Sequence, residues 1–240
     1  MIRTTFVVAS LLAISFSAAL SSAALIQTDP NGLAFHGRLT TDAVGVYQVL
    51  NTGTEIEGNV YEPPNPGFQG SVMWIAGANV GMDVDIDTNL GDGLQTYAEY
   101  TVRFTSQGTY RVHWAGQRTG TPQIVAEGGT TDRNDSVWIG PVDQDHTGTA
   151  GWTQLNLAAG GISYRSSNAL WVIDGSNVDQ NLTFTLGLRE DGPIYDKVAF
   201  VLEDSGALPG DIHVIPEPTS AALALVALGL AGMWGLRRRS

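Results

Sequence analysis

Three aspartates alternate with apolar residues along one short segment of the 240-residue sequence, at Asp83, Asp85 and Asp87. Clustered carboxylates are the ligands that a hard cation such as Ca²⁺ prefers. The EF-hand spacing is not met, because the sixth place counted from Asp85 is Leu90 rather than glycine and the twelfth is Thr96 rather than glutamate. The segment therefore predicts either a calcium site of another kind or a strand or loop with solvated carboxylates.

Tryptophan side chains are a second group with binding chemistry, because an indole ring stacks on the apolar face of a sugar while nearby polar groups bond the sugar hydroxyls. Trp138 alternates out of phase with its apolar neighbours, and Trp152 follows a glycine-rich loop, so we expect both to face outward and to bind carbohydrate. Trp114 has the phase of a core residue, whereas Trp74 and Trp171 have apolar neighbours in both phases. The alternative is that all five fill the core or its rim.

Residues suited to catalysis do not form a known motif. The sequence has no Gly-x-Ser-x-Gly, no His-Glu-x-x-His and no phosphate-binding loop, and it has no cysteine to act as a nucleophile or zinc ligand. Asp145 precedes His146, but neighbours in sequence need not be hydrogen-bonded partners in a catalytic pair. We therefore expect no enzymatic activity, although a pair of carboxylates for glycoside hydrolysis is left open. The four histidines are scattered, at His36, His113, His146 and His213.

The elements that must position these side chains are strands. The clearest periodicity lies at 97–114, where apolar and polar residues alternate on both sides of 106–108, and it predicts a β-hairpin with one buried and one solvated face. A second alternating run at 182–188 ends at the turn 190–193, and a further strand follows from Val198. Shorter strand candidates lie at 72–75, 136–139 and 169–173.

One carboxylate has a predicted structural role. Asp196 falls in phase with Val198 and Phe200 at the start of that last strand. A carboxylate in the phase of apolar residues is expected to be half-buried and to need a charged partner. We predict that this partner is Arg189, which lies just before the preceding turn.

The distribution of strand and turn signals predicts the fold class. Several short strands separated by Gly, Asn and Asp clusters are typical of an all-β, antiparallel β-sandwich. The 29 glycines and 10 prolines, against 15% charged residues, argue against a helical bundle, and no segment between 25 and 215 has helical periodicity. We predict one domain at 25–212, stabilised by packing alone because there is no cysteine.

The first 24 residues have the layout of a secretory signal peptide. One positive charge at Arg3 precedes an apolar stretch from Phe6 to Leu20, and small residues follow up to Ala24, near which we place the cleavage site. The alternative is an N-terminal membrane anchor, but the apolar run is short and is interrupted by serines.

The last 25 residues also have a membrane layout. Pro216, Glu217 and Pro218 are followed by an uncharged stretch at 219–236, and then by arginines at Arg237, Arg238 and Arg239. At 1.5 Å per residue, a helix over this stretch would be roughly 27 Å long, close to the thickness of a hydrocarbon core. The arginines place its end in the cytoplasm, which leaves the body outside.

This order of triplet, helix and arginine cluster resembles the PEP-CTERM sorting signal of Gram-negative bacteria, here over residues 213–240. The resemblance implies recognition by an exosortase, a membrane transpeptidase that removes the tail and passes the protein to the cell surface or to an extracellular matrix. It also implies that the inner membrane anchors the protein transiently, with the body in the periplasm. The alternative is an ordinary C-terminal anchor that is never removed.

The body has a second resemblance, to the galactose-binding-like jelly roll of many carbohydrate-binding modules. The segments that carry it, in order, are 98–104, 108–110, 135–138, 186–192 and 195–198. The resemblance implies a jelly-roll β-sandwich with a carbohydrate-binding role. Family members usually open on a glutamate-rich strand that helps to bind a structural calcium, whereas the corresponding segment 33–37 has no carboxylate.

Charge is distributed unevenly along the chain. The whole sequence has a formal charge of −12, but residues 25–215 contain 8 basic and 23 acidic residues and so carry −15. A nucleic-acid-binding protein should be basic, and this class is therefore excluded. Binding to an anionic polysaccharide is electrostatically unfavourable, which leaves neutral glycans or bridging by cations.

These features together predict an exported, non-catalytic protein of the cell surface or extracellular matrix. We expect it to bind polysaccharide through Trp138 and Trp152, with no cofactor other than calcium at Asp83, Asp85 and Asp87. One alternative is a structural or adhesion protein of the matrix that binds no glycan specifically. The other is a glycan hydrolase.

Overall fold

Strands are the main elements of the described residues, with two short 3₁₀ turns. The computed structural model describes residues 24–40, 42–44, 47–50, 55–56, 59–60, 72–75, 86–87, 89, 96–117, 136–156, 163–190 and 194–215. The strands are β1 Leu25–Ile26, β2 Gly32–His36, β3 Asp42–Val44, β4 Tyr47–Leu50, β5 Glu55–Ile56, β6 Asn59–Val60, β7 Val72–Ile75, β8 Tyr97–Arg103, β9 Gly108–Gln117, β10 Ser136–Ile139, β11 Thr153–Asn156, β12 Ser163–Ile173, β13 Leu182–Leu188 and β14 Ile194–Leu202. The 3₁₀ turns are Gly37–Leu39 and Glu203–Ser205.

Most of these strands form two six-stranded sheets. In the first sheet the order is β1-β8-β13-β10-β11, and β3 pairs with β8 beside β1. In the second sheet the order is β12-β9-β14-β7-β4, and β2 pairs with β14 beside β7. A single cluster of buried side chains contains residues from both sheets. The all-β class and the β-sandwich architecture are therefore confirmed.

Strand positions follow the alternation in the sequence, but the predicted hairpin at 97–114 is wrong. β8 pairs with β13 in the first sheet, whereas β9 pairs with β12 and β14 in the second. The connection crosses between the sheets, and Gln27 binds it there: the Gln27 Oε1 atom accepts the backbone N–H groups of Thr105 at 2.9 Å and Ser106 at 3.3 Å. The strands predicted at 72–75, 136–139 and 182–188 are confirmed as β7, β10 and β13.

The core is rich in aromatic rings, and Phe200 lies at its centre. Its ring centroid is 4.9 Å from that of Trp171, 5.0 Å from that of Phe184 and 5.3 Å from that of Phe104. Phe184 belongs to the first sheet, whereas Phe200 and Trp171 belong to the second. Edge-to-face and tilted ring pairs add to the free energy of burial, so this cluster binds the two sheets together.

A bulge in β14 changes the environment predicted for Asp196. The strand register shifts between Tyr195 and Lys197, so Asp196 is the extra residue and does not follow the phase of Val198. Its carboxylate accepts from His36 Nδ1 at 2.9 Å and from Lys197 Nζ at 2.9 Å. Asp196 therefore pairs with His36 and Lys197 rather than with Arg189, and one inserted residue explains the difference.

We predict that Asp196 contributes to the loss of stability in acid. Burial alone would raise the pKa of this carboxyl, but hydrogen bonds from His36 and Lys197 outweigh burial and lower it. A lowered folded-state pKa stabilises the protein above the unfolded pKa, near 3.9, and this stabilisation is lost as the pH falls through the folded value. Urea midpoints measured from about pH 5 to about pH 2 should therefore fall more steeply in the parent than in Asp196→Asn.

The control for this experiment is Asp204→Asn, because Asp204 is exposed in the 3₁₀ turn after β14. This variant should follow the parent at every pH. Parallel curves for the parent and Asp196→Asn would show that the Asp196 contacts do not contribute to the acid dependence.

The predicted terminal segments lie almost entirely outside the described residues. Among those residues, no helix has the length and apolar character needed to span a lipid bilayer. The signal peptide predicted over 1–24 and the membrane helix predicted over 219–236 fall outside the description, apart from Ala24. Both remain predictions.

Candidate functional site

The outward face of the first sheet carries the aromatic residues singled out by the sequence. In β10, Val137 and Ile139 point into the core and are fully buried, whereas Trp138 is only partly buried. Successive side chains of a strand point to opposite faces. The structure therefore places Trp138 on the outer face, as its phase predicts.

Trp152 lies on the same face, directly after the loop that follows β10. A Cβ atom built on Gly187 would lie 3.3 Å from Trp152 Cζ3, and one built on Gly140 would lie 3.3 Å from Trp152 Cη2. Gly187 is also the cross-strand partner of Trp138. The two tryptophans thus come together around Gly187, where the missing side chain leaves room for an indole ring.

We call Trp138, Trp152, Gly187 and Arg189 the tryptophan face. The Arg189 guanidinium carbon lies 5.7 Å from the centroid of the Trp138 ring, within cation–π range. The guanidinium also donates to Glu190 Oε1 at 2.7 Å. Because this charge is paired, Arg189 positions the indole without making the tryptophan face strongly cationic.

The loop at 140–152 is held across the outer face by hydrogen bonds to β13. The Gly140 N–H donates to the Thr185 carbonyl at 2.9 Å, and the Thr183 N–H donates to Asp143 Oδ1 at 2.9 Å. The Thr185 hydroxyl donates to the Gln144 carbonyl at 2.9 Å. These contacts carry the chain over β13 and bring His146 to β8.

A compact polar cluster forms where this loop meets β8. Glu99 Oε1 accepts from the His146 backbone N–H at 2.8 Å and from His146 Nδ1 at 2.7 Å. The Tyr97 ring stacks on the imidazole with centroids 4.0 Å apart and planes 2° from parallel. The Tyr97 hydroxyl donates to Asp42 Oδ2 at 3.1 Å, and burial together with this carboxylate raises the pKa of Tyr97 to about 12.

This Glu99–His146 cluster has part of the chemistry of an oriented base. A carboxylate that accepts Nδ1–H fixes the imidazole tautomer and leaves Nε2 as an acceptor. Within the described residues, however, the one hydrogen bond of this imidazole goes to Glu99, and no serine or threonine hydroxyl bonds to Nε2. Asp145 Oδ1 instead accepts from the hydroxyl and backbone N–H of Thr147, and these bonds lower the pKa of Asp145.

The candidate calcium segment is only partly described. Asp83 and Asp85 lie outside the described residues, and Asp87 is exposed. Among the residues that the structure describes, no three His, Cys, Asp or Glu side chains are grouped so that they could hold a metal ion. Calcium binding by Asp83, Asp85 and Asp87 therefore remains a prediction.

A buried asparagine that the sequence did not single out, Asn89, lies two residues after Asp87. Asn89 Nδ2 donates to the carbonyls of Thr96 at 3.0 Å and Leu188 at 3.1 Å, and its Oδ1 accepts the Thr96 N–H at 3.1 Å. A Cβ on Gly187 would lie 3.1 Å from Ile86 Cδ1. Ile86 and Asn89 thus sit against the same glycine as Trp152, and the exposed Asp87 directly follows Ile86 in the chain.

The remaining described tryptophans are structural. Trp114 and Trp171 are fully buried, so the core position predicted for Trp114 is confirmed. The Trp171 indole N–H donates to the Gly140 carbonyl at 3.2 Å and so supports the start of the 140–152 loop from inside the sandwich. The side chain of Trp74, in β7, lies outside the described residues.

Comparison with protein families identifies one segment of the chain. Residues 214–239 match the PEP-CTERM protein-sorting motif. The match includes Pro216, Glu217 and Pro218 and the arginines at 237–239. The resemblance predicted from the tail is therefore confirmed. No curated protein matches the chain.

Solved structures with some likeness to the chain are distant. A β-(1,4)-mannanase of Podospora anserina with GH26 and CBM35 parts has 8% identity and a TM-score of 0.42. A tryptic core variant of Bacillus thuringiensis Cry1Da has 11% identity and a TM-score of 0.42, and an isomalto-dextranase of Arthrobacter globiformis T6 complexed with panose has 9% and 0.32.

These likenesses span unequal shares of the chains compared. They cover 75%, 72% and 66% of this chain, but only 29%, 23% and 24% of the three other chains in the same order. The chain thus spans less than a third of the length of each of these proteins. Functional inference rests instead on the chain's own residues and on its sorting motif.

Proposed function

We propose that this chain, which carries a PEP-CTERM sorting motif at 214–239, is an exported protein that binds a neutral polysaccharide at the cell surface or in the extracellular matrix. Binding takes place on the tryptophan face and involves no catalysis. An exosortase recognises Pro216, Glu217 and Pro218, removes the tail and releases the body from the inner membrane.

The juxtaposition of Trp138 and Trp152 carries the binding half of the proposal. They lie on one outward face, where Trp138 pairs across the strands with Gly187 and Trp152 lies over Gly187, and both are only partly buried. Paired indole rings offer the flat apolar surface that a pyranose ring needs, and the carboxylates and amides nearby supply hydrogen bonds to sugar hydroxyls. β10 holds Trp138, and the 140–152 loop, which is hydrogen-bonded to β13, holds Trp152. Because both rings are already in place, the entropic cost of binding is lower.

Negative charge around the tryptophan face favours neutral over anionic polysaccharides. Glu99, Asp143 and Asp145 belong to the same outer face or to the loop that crosses it, and Asp87 is exposed next to Ile86. An anionic polymer would be repelled by these carboxylates and by the acidic body. A neutral polysaccharide meets no such barrier, and its binding should respond little to salt.

The fold supports this role as a scaffold. We infer that the described sheets belong to a jelly-roll sandwich, in which strands of one sheet alternate along the chain with strands of the other. The successive pair β8 and β9 and the successive pair β13 and β14 both change sheets in this way. Loops at the sandwich ends and outer faces are then available for binding.

A structural or adhesion role without specific glycan binding is the second candidate. The observation that favours it is that the Trp152 indole N–H already donates to the Gly148 carbonyl at 2.8 Å. One ring face also rests against Gly140 and Gly187. In this case Trp152 serves to close the 140–152 loop, and removing it should destabilise the loop without changing affinity for any glycan.

Affinity electrophoresis of the exported protein distinguishes the two candidates. The protein is run in gels that each contain one neutral or one acidic polysaccharide. At least one neutral polysaccharide should retard the parent, with or without calcium. Trp138→Ala should weaken that binding about tenfold or more, and Trp152→Ala similarly, because buried indole contacts dominate binding energy. Leu170→Ala serves as the control, since Leu170 is exposed on an outer position of β12 in the other sheet.

Two results of this experiment would contradict the proposal in different ways. No retardation of the parent on any polymer would support the structural role and refute glycan binding. Retardation that is equal in the parent and in both tryptophan variants would retain polysaccharide binding but remove the tryptophan face as its site.

A further inference from the structure

The start of the sorting motif is part of the folded body. Residues 214–239 match the motif, yet Val214 forms a parallel bridge with Ala34 of β2, and the Ile215 N–H donates to the Ala34 carbonyl at 2.8 Å. Ile212 is 3% exposed and packs with Ala34 and Ala199 on the outer face of the second sheet. We call residues 211–215 the strap.

Contacts along the strap fix its course over the body. Asp211 begins it with a turn, in which its N–H donates to the Leu208 carbonyl at 2.9 Å and its Oδ2 accepts the Leu208 N–H at 3.0 Å. The His213 N–H reaches Asp29 Oδ2 at 3.4 Å. Ile215 packs against the main core cluster. The strap is therefore a short segment that one β-bridge joins to β2 and that has its own apolar anchor.

The strap leaves little chain between the body and the membrane. Ile215 is bonded to β2, and the predicted membrane helix begins at residue 219, so only the triplet 216–218 lies between them. Three residues span at most about 10 Å when fully extended. One helix of a membrane enzyme is already about 10 Å wide with its side chains, so the bound strap holds the body too close for an enzyme to reach the triplet.

Detachment of the strap removes this restriction. If residues 211–215 leave β2, eight residues separate the body from the helix, and they span roughly 27 Å when extended. Release of the strap requires Ile212, Val214 and Ile215 to leave their contacts and breaks the hydrogen bond from the His213 N–H to Asp29.

We propose that the strap positions the triplet against the membrane and that it must detach from β2 before the exosortase removes the tail. This inference rests on the exosortase sorting proposed above. Ile212, Val214 and Ile215 are positioning residues: they set the rate at which the triplet becomes accessible and do not themselves contact the reacting atoms. The bound strap holds the body close against the membrane, and the body stays tethered there until the tail is removed.

A cross-link across the bridge tests the proposal in the full chain. Ala34→Cys with Val214→Cys introduces the first two cysteines of the sequence, at bridge partners whose side chains share one apolar cluster. In the oxidising space outside the cytoplasm, a disulfide locks the strap to β2. Tail removal is followed by mass in cells with and without the exosortase.

The oxidised double variant should lose its tail about tenfold more slowly than the parent or not at all, because a tether that cannot span the gap prevents engagement. Reductant should restore the parent rate, and each single-cysteine variant should match the parent throughout. Inserting about twelve Gly and Ser residues after Ile215, roughly 40 Å when extended, should restore tail removal even in the oxidised form.

A second variant tests the same step without a cross-link. Ile212→Ser removes the apolar anchor and should speed tail removal about threefold by raising the population of the detached strap. The proposal is overturned if the oxidised double variant is processed at the parent rate, if the long insertion does not rescue it, or if Ile212→Ser is processed no faster. A parent that keeps its tail equally with and without the exosortase would instead refute the sorting function itself.

Discussion

Phe200→Ala is expected to lower the free energy of unfolding by about 4 kcal/mol. Phe200 is fully buried, and its ring contacts Phe104, Trp171 and Phe184 as well as Phe35, whose centroid is 6.4 Å away. Alanine removes the apolar surface of the ring and leaves a cavity that four rigid rings cannot refill. Urea unfolding, followed by tryptophan fluorescence, measures the change.

The magnitude follows from the position of Phe200 between the sheets. Its aromatic neighbours come from both sheets and from the connection at Phe104, so no single element moves inward without breaking strand pairing elsewhere. A loss of this size is a large fraction of the 5–15 kcal/mol that stabilises a typical domain. We therefore expect the variant to be partly unfolded at 37 °C.

Val172→Ala is the matched control, because Val172 lies in the second sheet but is 55% exposed. Its unfolding free energy should stay within about 0.5 kcal/mol of the parent. A loss below about 1 kcal/mol in Phe200→Ala would mean that the core relaxes around the cavity and that the aromatic cluster does not hold the sheets together.

Alternation in the sequence predicts strands and the direction of their side chains well. The period of two is a local property of the backbone, so Trp114 could be placed inward and Trp138 outward from their neighbours alone. Both predictions are confirmed. Which sheet a strand joins is not local, and there the prediction of a hairpin at 97–114 is wrong.

Long-range contacts explain that difference. The turn between β8 and β9 is held by Gln27, which lies 78 residues before Thr105. The bulge at Asp196 likewise depends on how β14 meets β9, and the strand's own alternation gives no sign of it. Pairing between distant segments reflects the packing of the whole core, and a single sequence carries no direct signal for it.

The candidate site is likewise predictable only where it depends on local sequence and not on long-range contacts. The outward phase of Trp138 and the loop position of Trp152 identified both residues, but the meeting of His146 with Glu99 depends on a loop that crosses two strands. Gly187 offered a usable signal, because a glycine inside a strand often marks the close approach of another group. Here that group is the Trp152 ring, with Ile86 beside it.

Gly32→Ala is the second change for which we expect a large effect, about 3 kcal/mol of destabilisation from the addition of one methyl group. Gly32 begins β2 and pairs with Val201 of β14. A Cβ atom there would lie 2.2 Å from the Phe200 carbonyl oxygen and 3.2 Å from Ile212 Cδ1. Urea unfolding at neutral pH measures the loss of stability.

The expected loss of stability in Gly32→Ala is large because the atom that must move is a backbone oxygen. A flexible side chain could turn away from a new methyl group at low cost, but the Phe200 carbonyl belongs to the backbone of β14, the strand that carries the central ring of the core. Relief of the clash requires β2 to move away from β14 and weakens the pairing of both strands. Gly210→Ala provides the control, because a Cβ atom at Gly210 would meet nothing within 4 Å. The free energy of unfolding of that variant should remain within about 0.5 kcal/mol of the parent value. Equal stability of the two variants would show that the start of β2 moves to accommodate the added methyl group.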